Sequence, residues 1–291
     1  MTPDVWNKVR DLRPEEFPAV LAELDSCGLF PAPEETLEQF RSRLAAMFQE
    51  LEAIRNGSSE LQELIGQAPP VSGELRREAD QLTWAKYRFR AGWIPAWYST
   101  RQTGFFSVGI LLEVDRRLPL LFLHGGFRRR KVRRGYGAAE TMAHELVHAV
   151  RCAFPTSAYE EFFPCRMSGS RFRRMVGNLF RRWYLPALLF GGIAAVPVLA
   201  AAELPGCAVP LLLPLAVVLR ELILARRLRR AERVLRRAGL EPLPVLLRLS
   251  DREIAGLAAT PANEIPAAWQ STFRWRMFRE RFSGASLPDG Q

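Results

Sequence analysis

Histidine is scarce in this chain, with three in 291 residues. Any chemistry that rests on imidazole must use His124, His144 or His148, and two of these share the stretch ETMAHELVHAVR at 140–151. Cysteine is nearly as sparse. Cys27, Cys152, Cys165 and Cys207 form no CxxC and no cluster. That spacing excludes a secreted disulfide framework and fits reduced thiols in a chain whose bulk lies in the cytoplasm. The start, MTPDVWNKVR, has no apolar run behind a basic region, so no cleavable signal peptide is expected. There is no P-loop, GxGxxG, GxSxG or internal repeat, and no nucleic-acid motif accompanies the positive charge.

Charge is abundant but one-sided, at +10 net. Arginines concentrate in RRRKVRR at 128–134, in RFRR and RR within 171–182, and in RRLRRAERVLRR at 226–237. The last two runs bracket the most apolar part of the chain, which points to a membrane before nucleic acid. Residues 183–202, WYLPALLFGGIAAVPVLAAA, carry no charge, and neither does CAVPLLLPLAVVL at 207–219. As helices, Leu185–Ala202 and Leu204–Leu219 would measure about 27 and 24 Å at 1.5 Å per residue. A hydrocarbon core of about 30 Å makes both short spans. Arg220 could snorkel and extend the second. Pro186, Pro197, Pro210 and Pro214 imply kinks and leave open a hairpin that dips in without crossing. Trp183-Tyr184 suits the interface, and the flanking arginines place both ends in the cytoplasm, with Glu203-Leu204-Pro205-Gly206 as the distal turn.

Elsewhere the periodicity is legible. Leu37, Phe40, Leu44, Met47, Phe48, Leu51 and Ile54 recur at helical steps, stopped by Asn56-Gly57, and Pro69-Pro70 marks a loop. WIPAWYS, GFFSVGILLEV and LPLLFLHGGF read as two or three antiparallel strands, with a turn at Asp115-Arg116-Arg117. A helix is expected from Gly137 to near Phe154-Pro155. A second, capped by Thr156 or Ser157, should cover AYEEFF. Ser250-Asp251 should cap REIAGLAA, and residues 271–282, STFRWRMFRERF, form a basic aromatic helix that packs on the catalytic part or on lipid headgroups. The expected fold is α+β and mostly helical. A small antiparallel sheet packs on the HELVH helix, and a two-helix transmembrane hairpin is inserted. The expected divisions are 1–82 (helical), 83–170 (catalytic core), 171–232 (membrane hairpin) and 233–291 (helical).

HELVH carries the chemistry. Residues four apart on a helix project side by side, so His144 and His148 can share one Zn²⁺. Glu145 points about a quarter-turn away, where it can accept a proton from an activated water without ligating the metal. Leu146, Val147 and Val150 would anchor the opposite face. A preceding strand could hold an extended peptide by strand addition. The carboxylates Glu160 and Glu161 follow within reach.

Over roughly residues 93–170, this layout of strands, HExxH helix and following glutamate resembles the gluzincin type of zincin metallopeptidase. The resemblance implies that His144 and His148 are zinc ligands and that Glu145 is the general base. The third ligand is implied to be a glutamate opening an ExxA-type pattern. Glu161-Phe-Phe-Pro164 stands at that place, with proline for the small residue, after a shorter interval from His148 than in many gluzincins. Glu161 is preferred to Glu160 because Glu160 falls at the capping-box position if Ser157 is the cap. If neither glutamate ligates, His124 could complete the site, although its expected place is as the cap of a strand end; Tyr159, Tyr136 and Arg166 are all chemically able to stabilise an oxyanion. The expectation is a zinc peptidase in a bacterial-type cytoplasmic membrane, multi-pass, with termini and site in the cytoplasm. It would act on protein or peptide substrates near the bilayer, with no specific nucleic-acid partner. The alternatives are a non-catalytic membrane protein with a fortuitous HExxH and a basic membrane-surface or nucleic-acid-binding module.

Overall fold

The computed structural model describes residues 16–283 apart from 105–106, 115–117, 130–131, 134, 156–157, 182–183, 204–205 and 261–263. The first part of the described chain is helical, its longer helices being α1 (Leu21–Ser26), α2 (Leu37–Arg55) and α3 (Gly73–Tyr87). In α2 the expected stripe faces inward, with Phe40, Leu44, Met47, Phe48, Leu51 and Ile54 buried. Thr36 and Gln39 close a reciprocal capping box at its start, satisfying two otherwise orphaned backbone donors.

The sheet comprises β1 (Ala96–Tyr98), β2 (Gly109–Val114) and β3 (Leu118–Leu123), in the order β1-β3-β2. β2 and β3 are antiparallel, with Gly109 opposite Leu123 and Val114 opposite Leu118. β1, however, runs parallel to β3, from Ala96 opposite Leu121 to Tyr98 opposite Leu123. The sheet is therefore mixed, a correction to the all-antiparallel expectation. The reason is that β3 takes the centre. All six of its residues are buried, as an uninterrupted apolar run demands, and β2 folds back along one side only. That leaves β1 to pair on the other side, in the direction its own connection imposes. The turn expected at 115–117 lies outside the described residues.

A two-residue hairpin, β4 (Val132–Arg133) with β5 (Tyr136–Gly137), leads into α4 (Ala138–Ala149), which carries HELVH. α4 packs on β2 and β3 and on α3. Its buried face includes Met142, Ala143, Leu146 and Val147. It starts where expected but stops at Ala149, short of Phe154. Beyond it the chain tightens into three-residue turns. Arg151 turns inward there, donating to the carbonyl oxygens of Leu247 and Leu249 and stacking on the Phe154 and Phe163 rings. The next helix, α5 (Phe162–Cys165), is one turn long and does not cover AYEEFF. The caps expected at Thr156 or Ser157 lie outside the described residues.

Then come α6 (Arg171–Val176), α7 (Tyr184–Ala201) and α8 (Leu212–Arg237). Of the described helices, α7 alone is long and apolar enough to cross a membrane, with mean hydropathy 1.9 and 11% of its span buried. The second expected span is not found. Residues 206–211 form turns and a short 3₁₀ segment, so α8 begins only at Leu212 and reaches Arg220 within about 12 Å. It then continues through the arginine run, because Leu228, Ala231, Val234 and Leu235 recur at helical spacing and are buried, with α8 packed on α10 (Asp251–Ala259). This replaces the two-helix transmembrane hairpin with one candidate membrane helix, and multi-pass insertion loses its support. α7 still packs on α8, and Gly192 abuts Pro214. Trp183, Leu204 and Pro205 lie outside the described residues.

The chain ends with α9 (Pro242–Leu247), α10 and α11 (Phe273–Phe282). Ser250 caps α10 in a capping box with Glu253. α11 buries Trp275, Met277, Phe278 and Phe282 and packs on α1 and α9, so the interior claims its aromatic face. A single cluster of buried side chains runs from Leu21 to Phe282. Within it, Arg248 and Asp25 form an ion pair, at 2.6 and 2.8 Å, that is almost wholly excluded from solvent. Arg248 also donates to the Tyr87 carbonyl, tying α9 to the end of α3 behind the HELVH helix.

Candidate metal centre

The helical spacing of four places the His144 and His148 rings side by side, with centroids 5.0 Å apart. Both rings face a single carboxylate. Nε2 of His144 lies 3.4 Å from Glu161 Oε2, and Nε2 of His148 lies 3.3 Å from Glu161 Oε1. Glu161 is brought there by the turn ahead of α5, which is anchored by the Tyr87 hydroxyl donating to the Phe163 carbonyl at 2.8 Å. Among the described ion pairs it is Glu161, not Glu160, that meets the two histidines. His124 belongs elsewhere. Its Nδ1 accepts from the Gly126 amide at 2.9 Å and caps the turn after β3.

Glu145 is buried and lies against the first residue of β2, where a Cβ added to Gly109 would come within 2.8 Å of its Oε1. The strand can pass this close because Gly109 has no side chain. Among the described strands β2 lies at an edge, and Val108 and Gly109 form one wall of a cleft of about 480 Å³ that also contains His144, Glu145 and Glu161. Tyr136 and Arg173 line the same cleft, with the Arg173 guanidinium 4.1 Å over the Tyr136 ring. Of the three groups considered for an oxyanion, Tyr136 alone lines this cleft. The Tyr159 hydroxyl reaches the Leu224 carbonyl, and Arg166 stacks 4.5 Å over Phe162.

The electrostatics follow from burial and proximity. Burial opposes the charge of Glu161, but the hydrogen bonds and positive character of the two imidazoles outweigh it and hold the carboxyl well below the usual carboxylate range. Burial would lower His148, yet its hydrogen bond to Glu161, with the charges of Glu161, Glu145 and Glu160, raises it. Glu145 is pushed up by burial, with the neighbouring histidines pulling the other way.

No family model, curated protein or solved structure matches this chain.

What the centre can do follows from its own donor set. Two imidazoles and a carboxylate are the ligand types of an open zinc site; His144 and Glu161 line the cleft, and His148 meets the other oxygen of Glu161. The residues present therefore fit Zn²⁺. His144, His148 and Glu161 would hold it, and Glu145 lines the same cleft as Glu161, whose charge adds to burial in pushing Glu145 up. Cys165 had no place in the reading of the sequence, yet His144, Glu161 and Cys165 each place a donor atom within 4.8 Å of the other two. A signal was available. Cys165 is four residues beyond Glu161, the same spacing that pairs the histidines.

Proposed function

We propose that this chain is a zinc-dependent peptidase attached to a membrane, cleaving proteins or peptides close to the bilayer surface. The observation that carries the reading is the meeting of both HELVH imidazoles on Glu161, in a cleft walled by an edge strand. A bound zinc would supply Lewis acidity and a water acidic enough to deprotonate near neutral pH. Glu145 is placed to accept that proton and return it to the leaving amine. The free edge of β2 offers backbone groups to an extended peptide, holding it along the cleft.

Attachment rests on α7. Its exposed Leu188, Phe190, Ile193 and Val198 continue into the exposed Leu212, Leu213, Leu215, Val218 and Leu219 of α8, one apolar surface that water would penalise. In this reading α7 and the start of α8 dip into the bilayer from one side. The arginines of α6 and of the second half of α8 stay at the cytoplasmic headgroups.

The test is metal content in detergent-purified protein, measured by elemental analysis for wild type, His148→Ala, Glu161→Ala and Glu160→Ala. One zinc per chain in wild type and in Glu160→Ala is expected, with loss in the other two. A mixed peptide pool analysed by mass spectrometry should show cleavage that Glu145→Gln abolishes. A wild-type chain without metal after zinc-replete, chelator-free purification would refute the enzyme. It would leave the second reading, a non-catalytic membrane protein in which Glu161 simply satisfies both imidazoles.

A further inference from the structure

Cys165 is placed differently from the other three cysteines. Its Sγ lies 3.7 Å from Glu161 Oε2, the same oxygen that lies 3.4 Å from His144 Nε2. The contact is built into the backbone, since the Cys165 amide donates to the Glu161 carbonyl at 3.0 Å and closes one helical turn that puts both side chains on one side. The opposite wall is fitted to the sulfur. A Cβ added at Gly177 would overlap Cys165 Sγ, so any larger residue there would drive the thiol from its place. Cys165 and Gly177 both line the cleft that holds His144, Glu145 and Glu161.

The spacings have a chemical meaning. Donors bound tetrahedrally to zinc at about 2.0–2.3 Å are separated from one another by about 3.3–3.8 Å. The carboxylate–imidazole separations of 3.4 and 3.3 Å and the carboxylate–sulfur separation of 3.7 Å all fall in that interval. The thiol donates a hydrogen bond to the carboxylate at this distance, and the same separation suits two donors on one metal ion.

We propose, building on the zinc-site reading above, that Cys165 is itself a metal donor and joins His144 and Glu161 on the Oε2 side of the carboxylate. On binding, the thiol S–H bond breaks, the sulfur keeps the electron pair as the new ligand bond forms, and the proton leaves to solvent. The resting centre is then closed by sulfur. Access for a water molecule then requires the Cys165 side chain to move away.

Cobalt reports this directly, because thiolate coordination gives Co²⁺ a near-ultraviolet sulfur-to-metal charge-transfer band. Detergent-purified full chain is loaded with Co²⁺ as wild type, as Cys165→Ser, as His148→Ala, and as a variant with Cys27, Cys152 and Cys207 all changed to Ser. Cobalt per chain is measured by elemental analysis beside each spectrum. The expected result is one cobalt with the band in wild type and in the triple variant, and loss of the band in Cys165→Ser. Loss of the cobalt itself from a folded Cys165→Ser chain supports the same conclusion. Wild type that binds cobalt without the band, or a band unchanged in Cys165→Ser, overturns the sulfur ligand and leaves the His–His–Glu site standing. Wild type that takes up no more cobalt than His148→Ala overturns both. If Cys165→Ser fails to fold, the triple variant still decides, since Cys165 is then the one thiol able to give the band.

Discussion

Gly109→Ala is the sharpest probe of the assignment of Glu145. An added Cβ would lie 2.8 Å from Glu145 Oε1 and 3.0 Å from both Glu145 Cγ and Thr141 Cγ2, against an ordinary contact of 3.4 Å or more. Thr141 lies on the same helix as Glu145, and that helix is locked into the core by Met142, Leu146 and Val147. The yielding partner is therefore the Glu145 carboxylate, which must retreat by about 0.6 Å to restore normal contact. Misplacement of a catalytic group by about 1 Å can cost 10²-fold, so about a tenfold fall in kcat is expected, or about 1.4 kcal/mol of barrier. The atoms nearest the added Cβ belong to Glu145 and Thr141, neither of them a proposed ligand, so zinc per chain should stay at the wild-type level. The assay is kcat on the peptide that wild type cleaves fastest, with metal content measured on the same preparation. Gly191→Ala, which adds its methyl to open space, serves as the control. Wild-type turnover in a zinc-loaded Gly109→Ala chain would refute the role given to Glu145, because the group held responsible would have moved without consequence.

Other expectations reach the rest of the molecule. Asp25→Asn removes the buried carboxylate that faces both Arg248 and Arg281, which should destabilise the protein by about 3–5 kcal/mol; a denaturant midpoint within error of wild type would contradict this. Burial pushes the Cys152 thiol up to about 12, so the proton stays on at pH 8 and only about 10⁻⁴ of it is thiolate. Iodoacetamide should spare Cys152 in the folded chain and label it in urea, as read by mass spectrometry. Changing both Phe190 and Ile193 to Asp places two charges on the exposed face of α7, at about 2.5–3.5 kcal/mol each in a membrane interior. In liposome flotation that variant should move from the floating to the soluble fraction, and continued flotation would reject α7 as the attachment.

Much of this was legible in the sequence where the determinants are local. The α2 stripe, its stop at Asn56-Gly57, the start of the HELVH helix after Gly137 and the Ser250 cap depend on residues within a turn or two of each other. What escaped depends on distant partners. The parallel pairing of β1 with β3 is settled by which strand takes the sheet's centre. The early end of α4 is settled by carbonyl oxygens about a hundred residues away that draw in Arg151. The run at 207–219 reads as a span from composition alone, whereas α8 is organised by four apolar residues hidden inside the arginine run that follows. Glu161 and Glu160 are neighbours in sequence but point differently, and only the turn anchored by Tyr87 separates them. Cys165 stands four residues beyond Glu161, but a lone cysteine in an apolar stretch carries no metal signal until the fold sets that glutamate beside the histidines.

The ion pair between Asp25 and Arg248 also fixes an order of events in time. A ribosome releases Asp25, then HELVH, then the apolar α7, and only afterwards Arg248 and the aromatic face of α11. Until those last pieces emerge, the core that supports the HELVH helix stays open. The nascent chain thus presents the apolar α7 while the cleft still lacks its backing. Under the function proposed above, attachment precedes assembly of the centre, and the cleft is completed only once α7 is already in place.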